Sequence, residues 1–337
     1  MKFRGIASAV FGMEAIVGQE LKDLGFDNVV VENGRVLFDA DEAGIAKANL
    51  WVRTAERIYI MVGTFKATTF EQLFDQIYKL PWELYIPKEA TFPVNAKSVK
   101  SKLFSLSDIQ SISKRAIVKR LSGLYKVEWF KEEAETYSIH VNFLKDEVTV
   151  SIDTSGSGLH KRGYRAKGNE APLKETLAAG LLLVSKWRPF IPLIDPFCGS
   201  GTIAIEAALI AKNIAPGLNR SFDAEKWRWI DASIWKNARK EAYQAIKQDV
   251  DIKIEGYDID RRAIAIAREN AELAGVEDII HFQVRDVRDF STKNQYGYLI
   301  CNPPYGERLE DEAAVKSLYA LMGKVFKEYT TWSKYII

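Results

Sequence analysis

The stretch that determines the fold of this chain is Asp195-Pro196-Phe197-Cys198-Gly199-Ser200-Gly201-Thr202. It follows the apolar pair Leu193-Ile194, which predicts the end of a buried strand, and it precedes an apolar run that predicts a helix. Two glycines, Gly199 and Gly201, permit a tight turn and let the backbone approach a ligand closely. The helix that follows offers unpaired N–H groups at its N-terminus. The stretch therefore predicts a ligand site at the tip of a strand in an α/β domain.

The order of elements around this motif predicts the domain organisation. After residue 193, strands alternate with long helices, which indicates a parallel sheet with right-handed crossovers. The tract 212–248 is longer than one crossover helix requires, and we expect its tryptophans to pack an added helix. The linker Ser155-Gly156-Ser157-Gly158 marks the main boundary. We place the α/β domain at residues 165–337.

Two smaller α+β regions are predicted before this boundary. Residues 1–65 follow the order βαββαβ, with Asn33-Gly34 as a hairpin turn, which is typical of a ferredoxin-like domain. A second region begins at Thr69 with a helix, a strand and a basic helix. It ends with two strands joined by a Lys145-Asp146 turn. These patterns predict a two-part N-terminal region.

Composition excludes several classes of protein. The 337 residues include 47% hydrophobic and 27% charged residues, which is typical of a globular protein. The longest apolar run falls short of the roughly 18 residues that span a membrane, and the N-terminus lacks a signal-peptide pattern. The three histidines and two cysteines do not have metal-site spacing. We therefore expect no metal, no membrane association and a cytoplasmic protein with free thiols.

Positive charge is concentrated in two local clusters although the net charge is only +2. Such clusters can bind the phosphates of a nucleic acid. The alternative for both is an ordinary solvated surface. The residues predicted to contact RNA are Lys97, Lys100, Lys114, Lys119 and Arg120 in the first cluster and Lys161, Arg162 and Arg165 in the second.

Three aspartates follow successive predicted strands of the α/β domain. Asp195 opens the glycine turn, where it would repel a pyrophosphate but suit a ligand with an amino group. The dinucleotide pattern also fails, because its third glycine is replaced by Ala204. S-adenosylmethionine therefore fits better than NAD, with Asp258 on the ribose hydroxyls and Asp286 on the adenine amine. Taken singly, each aspartate is better explained as a helix cap or a surface charge, but three of them at successive strand tips, together with the glycine turn, favour the ligand site.

A polar-aromatic tetrad, Asn302-Pro303-Pro304-Tyr305, follows the apolar residues 298–301. The Asn302 side-chain oxygen and the Pro303 carbonyl can accept the two hydrogens of a planar exocyclic amine. Proline brings no N–H and holds a fixed φ, and Tyr305 offers a face on which a base can stack. The tetrad predicts methyl transfer to a nucleobase nitrogen. The alternative is a proline turn capped by asparagine.

With these motifs, the chain resembles class I S-adenosylmethionine-dependent RNA methyltransferases that carry an N-terminal THUMP domain. It is most similar to the guanine-N2 methyltransferase half of the bifunctional bacterial 23S rRNA enzyme. The segments that carry the resemblance are 158–165, 171–179, 195–206, 215–218 and 302–309. The resemblance implies a Rossmann-like methyltransferase sheet preceded by a ferredoxin-like and THUMP α+β RNA-binding region.

The resemblance also implies roles for particular residues. Residues 44–155 would form the THUMP module and bind structured RNA, namely 23S rRNA or a ribosomal precursor, with no obligate protein partner. Residues Asn302 to Tyr305 would be catalytic. The residues that would contact S-adenosylmethionine are Asp195, Gly199, Gly201, Asp258 and Asp286, to which we add Phe197 and Thr202 of the same motif.

Two departures from the family pattern bear on the function. Family members continue beyond the fifth strand with a β-hairpin, so we expect that residues 332–337 are not the natural end of the chain. The second methyltransferase of the bifunctional relatives is also missing. Two alternative functions stay open: an adenine-N6 DNA methyltransferase, which uses the same tetrad, and an RNA-binding assembly factor without catalysis.

Overall fold

The computed structural model describes residues 1–165, 173–304 and 312–337. These residues form two compact units. The N-terminal unit comprises residues 1–159 and 221–240, and the C-terminal unit comprises residues 160–220 and 241–337. None of the described helices is long and apolar enough to cross a membrane.

The N-terminal unit is built on one seven-stranded sheet with the order β2-β3-β1-β4-β7-β6-β5. Its strands are β1 (Phe3–Ala9), β2 (Asp27–Glu32), β3 (Arg35–Ala40), β4 (Ala55–Lys66), β5 (Val94–Val99), β6 (Ile139–Leu144) and β7 (Glu147–Asp153). Its helices are α1 (Glu14–Asp23), α2 (Glu42–Trp51), α3 (Phe70–Lys79) and α4 (Leu106–Tyr125). Strand β4 pairs with β1 on one side and with β7 on the other. The two predicted α+β regions therefore share one sheet.

The tract between residues 212 and 248 does contain an added helix, α7 (Ala232–Gln244). The tryptophans before it pack into the N-terminal unit. Trp227 stacks on Tyr137 with ring centroids 4.8 Å apart, and its indole N–H donates to the Thr136 carbonyl at 3.0 Å. These aromatic residues therefore have a packing role, as the sequence predicts.

The C-terminal unit contains a five-stranded parallel sheet with the order β10-β9-β8-β11-β12. Its strands are β8 (Leu193–Asp195), β9 (Ile254–Asp258), β10 (Ile280–Val284), β11 (Gly297–Cys301) and β12 (Trp332–Ile336). The remaining helices are α5 (Glu175–Val184), α6 (Thr202–Ala211), α8 (Arg261–Ala274) and α9 (Glu312–Lys327). This arrangement confirms the predicted α/β fold.

The strand order creates a crevice at one edge of the parallel sheet. From β8 the chain continues to β9 and β10 on one side, and then crosses to β11 and β12 on the other side. In open α/β sheets, ligands bind at the carboxyl ends of the strands where the order reverses. The tips of β8 and β11 flank that position.

Candidate functional site

Four predicted site residues lie at the carboxyl ends of neighbouring strands. Asp195 is the last residue of β8 and Asp258 the last of β9. Asp286 comes two residues after β10, and Asn302 directly follows β11. Because these strands are parallel and adjacent, the four residues lie along the same edge of the sheet. The structure thus brings together residues that are far apart in sequence.

The two glycines of the turn have different surroundings. Both have positive φ, +51° at Gly199 and +83° at Gly201, a conformation that other residues rarely adopt. A Cβ atom on Gly201 would lie 2.8 Å from the Phe282 ring and 3.1 Å from the Ala267 Cβ. A Cβ atom on Gly199 would meet nothing within 4 Å. Gly201 is therefore required by packing, whereas Gly199 borders open space.

The Asp258 carboxylate fastens the glycine turn to the tip of β9. Its Oδ2 accepts the Gly199 N–H at 2.9 Å, and its Oδ1 accepts the Asp260 N–H at 2.9 Å. Each carboxylate oxygen has a second lone pair, so the group retains the capacity to accept from a ligand hydroxyl. Asp258 therefore has a structural role that the sequence did not indicate, and its contact with ribose stays a prediction.

Asp286 is also engaged within the fold. It caps the short turn Val287–Asp289 by accepting the Arg288 N–H, and its Oδ2 forms an ion pair with the Arg288 guanidinium at 2.5 Å. These contacts with Arg288 lower the pKa of Asp286, so it is ionised and acceptor-only at neutral pH. The predicted contact with an adenine amine stays untested.

Asp195 is a carboxyl group buried at the crevice, with 1% of its surface exposed. Its Oδ1 accepts the Phe197 N–H at 3.1 Å. Burial, together with the negative charge of Asp258, raises the pKa of Asp195 to about 8. A positively charged ligand group would favour the ionised form and reverse this shift. The site therefore suits an ammonium group, as the sequence predicts.

A buried asparagine, which the sequence did not indicate, forms a hydrogen bond to the backbone of the glycine turn. Asn270 lies on α8 with 1% of its surface exposed, and its Nδ2 donates to the Ser200 carbonyl at 3.0 Å. Its position could have been noticed, because it falls on the otherwise apolar buried stripe of α8. The buried residues of that stripe are Ala263, Ile264, Ala267, Asn270, Ala271 and Ala274.

The described part of the tetrad presents hydrogen-bond acceptors. Asn302 is half-buried, Pro303 is buried and Pro304 is exposed, while Tyr305 lies outside the described residues. Within the described residues no hydrogen bond occupies the Asn302 side chain. The thiol of the preceding Cys301 is buried, and burial raises its pKa well above the usual value. Burial therefore favours the neutral thiol of Cys301.

Comparison with known proteins identifies the family. An RMKL-like methyltransferase domain matches residues 162–337. The chain belongs to this family. An RlmL ferredoxin-like domain matches residues 5–59, and a THUMP domain matches residues 67–153. The predicted family and fold class are thereby confirmed.

The relatives of this RMKL-like methyltransferase differ in length. YpsC of Bacillus subtilis, provisionally named an RNA methyltransferase, is 47% identical over 100% of this chain and 88% of its own length. The ribosomal RNA large subunit methyltransferase K/L of Shewanella baltica is 37% identical over 97% of this chain. The chain spans only 47% of that relative, which is about half of its length.

Solved structures of similar proteins share the fold closely. A structure from Listeria monocytogenes, described as a predicted N6-adenine-specific DNA methylase, is 52% identical with a TM-score of 0.96 and covers 100% of this chain and 88% of that chain. SMU.472, solved in complex with SAH, is 48% identical with a TM-score of 0.94. The match covers 99% of this chain and 89% of that chain. Together with the family match, this confirms S-adenosyl-L-methionine as the cofactor.

Residues of the RMKL-like methyltransferase fit this cofactor by their chemistry. Asp195 offers a buried carboxyl group for an ammonium, and the open side of Gly199 leaves room for close approach to the backbone. Phe197 lies beside the apolar core of the C-terminal unit. Thr202, in contrast, is buried at the start of α6, where its Oγ1 accepts from Arg165 at 3.0 Å.

Two arginines predicted to contact RNA point into the C-terminal unit instead. Arg162 is only 3% exposed and pairs with the fully buried Glu206 at 3.4 Å, and Glu206 also accepts the Tyr164 hydroxyl at 3.1 Å. Arg165 pairs with the buried Glu175 at 3.1 Å. The prediction of RNA contacts from Arg162 and Arg165 is therefore wrong, because both side chains neutralise interior carboxylates.

The other predicted RNA contacts divide into paired and exposed cations. Lys114 is half-buried and pairs with Glu132 at 2.5 Å, and burial lowers its pKa. Arg120 pairs with Glu83 at 2.6 Å. Both cations therefore also hold neighbouring segments of the unit, and their contacts with RNA stay a prediction. The predicted cations that are exposed are Lys97, Lys100, Lys119 and Lys161.

Proposed function

We propose that the protein transfers a methyl group to the exocyclic N2 amine of a guanine in 23S rRNA. The observation that carries the proposal is the acceptor pair at the tip of β11. The Asn302 amide is unoccupied by described residues, and Pro303 lacks an N–H. This pair lies across the strand-order reversal from Asp195, at the position where such sheets bind their ligands.

The chemistry follows from the weakness of an aromatic amine as a nucleophile. Its lone pair is delocalised into the ring. When the Asn302 Oδ1 and the Pro303 carbonyl accept its two hydrogens, the lone pair is localised on the nitrogen. When bound, S-adenosyl-L-methionine would supply the methyl group: the N–C bond would form as the sulfur–methyl bond breaks, S-adenosylhomocysteine would leave, and the amine would lose one of its two protons to solvent. Most of the rate enhancement then comes from positioning and fixed dipoles rather than from a strong base.

We assign the cofactor contacts to the three aspartates of successive strands. Asp195 would bind the ammonium group, Asp258 the ribose hydroxyls and Asp286 the adenine amine. Their order across β8, β9 and β10 supports this assignment, because it spaces the three acceptors along an extended ligand. The buried carboxyl of Asp195 would contribute most to the choice of a cationic ligand.

The RNA substrate is supported by the N-terminal unit and by the relatives. A THUMP domain occupies residues 67–153, and the relatives in Bacillus subtilis and Shewanella baltica are named for RNA and ribosomal RNA. The exposed Lys97, Lys100, Lys119 and Lys161 could contact phosphates. These features favour RNA over DNA.

A second candidate is methylation of adenine N6 in DNA. It is favoured by the description of the Listeria monocytogenes structure, and the acceptor pair would serve either amine. A reader of duplex DNA places an element in the major groove to reach base edges, and the family matches give no such module. A non-catalytic assembly factor is disfavoured, because every described position of the site keeps its chemistry.

The experiment that separates these candidates identifies the methylated nucleoside. The purified chain is incubated with labelled S-adenosyl-L-methionine in two separate reactions. One contains deproteinised rRNA from a strain lacking the gene, and the other contains unmethylated DNA. The products are digested and resolved by mass spectrometry. N2-methylguanosine from rRNA is expected. N6-methyladenine from DNA would establish the second candidate, and no methylated product from either would refute both.

A further inference from the structure

One corner of the N-terminal unit exposes an aromatic ring among lysines. The loop between β5 and α4 carries Phe104, which is 79% exposed, whereas the preceding Leu103 is buried. Exposed lysines precede Phe104 at positions 97, 100 and 102, and exposed Lys145 lies in the β6–β7 turn, which is hydrogen-bonded to this loop. We call this the Phe104 corner, and its members are Lys97, Lys100, Lys102, Phe104 and Lys145.

The corner is held by a network of hydrogen bonds. The Lys102 N–H donates to the Asp146 Oδ1 at 2.7 Å, and the Asp146 N–H donates to the Ser101 Oγ at 2.9 Å. The Lys145 N–H donates to the Val99 carbonyl at 3.1 Å. These bonds join the β5–α4 loop to the β6–β7 turn. The Phe104 ring is thus displayed from an ordered backbone, which reduces the entropy lost on binding.

The charge of the corner favours a polyanion. Within the described part of the chain, no ion pair neutralises Lys97, Lys100, Lys102 or Lys145. Of the nearby acids, Asp146 is bound to a backbone N–H, Glu147 pairs with Lys66 at 3.6 Å, and Asp108 lies in the first turn of α4, so the four lysines outnumber the acids. Lysines without partners are free to contact phosphates.

We propose that the Phe104 corner binds an unpaired stretch of the RNA substrate, with a base stacked on Phe104 and phosphates on the surrounding lysines. This combination of an exposed ring and a cationic surface is how proteins bind single strands without reading sequence. The inference rests on the proposed RNA function and deepens it. It places a contact for single-stranded RNA in the N-terminal unit, separate from the amine site in the C-terminal unit.

The test uses the full-length chain and a labelled ten-nucleotide RNA, either single-stranded or annealed to its complement. Binding is followed by fluorescence anisotropy, with a 2-aminopurine base in the strand to report stacking. Phe104→Ala should weaken single-strand binding about 5- to 150-fold and remove the quenching of 2-aminopurine, whereas Phe104→Trp should retain both. Duplex binding should change little.

Matched controls separate stacking from general effects. Phe11 is 88% exposed in the same unit, and the next residue, Gly12, donates its N–H to the Glu14 carboxylate at 2.8 Å, so Phe11→Ala should leave RNA affinity unchanged. Lys100→Ala and Lys102→Ala should each flatten the slope of log affinity against log salt by about 0.7. Affinity for S-adenosylhomocysteine should be unaltered in every variant.

Two outcomes overturn the inference and are distinguishable. If the wild type methylates rRNA and Phe104→Ala binds single-stranded RNA as tightly as the wild type, the Phe104 corner serves another partner, such as a protein. If the wild type neither binds nor methylates any RNA, the proposed function fails as well.

Discussion

The contrast between Gly199 and Gly201 gives the sharpest prediction about the C-terminal unit. Replacing either glycine with alanine forces a non-glycine residue into positive φ, which costs about 1–2 kcal/mol. Only at Gly201 does the new methyl also meet the protein. It would lie 2.8 Å from the Phe282 ring and 3.1 Å from the Ala267 Cβ, and overpacking of a core adds about 1–3 kcal/mol.

Gly201→Ala should therefore destabilise the C-terminal unit by about 2–5 kcal/mol in total, and Gly199→Ala by about 1–2 kcal/mol. At the size of this unit, each kcal/mol corresponds to a shift of about 2–4 °C in the melting temperature. Differential scanning calorimetry resolves such shifts. Because Gly199 borders the open side of the turn, its methyl would instead obstruct the cofactor.

The second assay measures the affinity for S-adenosylhomocysteine by isothermal titration calorimetry. Gly199→Ala should lower this affinity at least tenfold, a loss of about 1.4 kcal/mol in binding, while the unit loses only the roughly 1–2 kcal/mol of stability that positive φ costs. Gly201→Ala should show the larger thermal shift. If Gly199→Ala binds S-adenosylhomocysteine as the wild type does, the cofactor does not approach the open side of Gly199. If Gly201→Ala melts at the wild-type temperature, contact between the new methyl and the Phe282 ring does not limit the stability of the unit.

Buried groups of the C-terminal unit support three further predictions. Burial raises the pKa of Asp195 to about 8, so the folded state is most stable when this carboxyl is protonated. As the pH rises from about 4 to about 8, the wild type should therefore lose stability relative to Asp195→Asn in calorimetric scans. Arg162→Met should cost about 3–5 kcal/mol in urea unfolding by leaving Glu206 unpaired; Arg162→Met combined with Glu206→Leu should recover most of it. Cys301→Ala should keep wild-type methyl transfer, since its thiol stays neutral.

The parallel sheet and its strand tips could be predicted because their signals are local. The glycine turn at 195–202 marks a strand, a turn and a helix within eight residues, and the alternation that follows indicates parallel pairing. Asn302 could be placed at a strand tip for the same reason, since an apolar run precedes it. The positions of the residues at the crevice edge could therefore be predicted from the sequence.

The partners of charged residues could not be predicted in this way. Arg162 stands in a cluster that looks basic and exposed, but its partner Glu206 lies 44 residues further along the chain. One signal was available. Glu206 is the only acidic residue in α6, and nine of the ten residues of this helix are buried. Apart from its first threonine, the rest of the helix is apolar. A buried carboxylate requires a buried cation. Asn270, on the apolar stripe of α8, was detectable by the same argument.

Packing between distant segments was also beyond the sequence. The tryptophans of 221–240 could be recognised as packing residues, but not the unit into which they pack. The Trp227 indole N–H donates to the carbonyl of Thr136, which lies 91 residues earlier in the chain. Such a contact has no periodic signature, because the pattern of one helix or strand gives its buried face and not the identity of the surface that covers it.

The central claim is that Asn302 and the Pro303 carbonyl activate an amine for methylation. The most direct test is single-turnover methyl transfer to rRNA by Asn302→Ala at saturating S-adenosyl-L-methionine. The matched control is Asn294→Ala, in the loop before β11, at the opposite end of that strand. We predict that Asn302→Ala loses about 100- to 1,000-fold in rate with unchanged affinity for S-adenosylhomocysteine, while Asn294→Ala keeps the wild-type rate. An Asn302→Ala protein that methylates at the wild-type rate would contradict the claim.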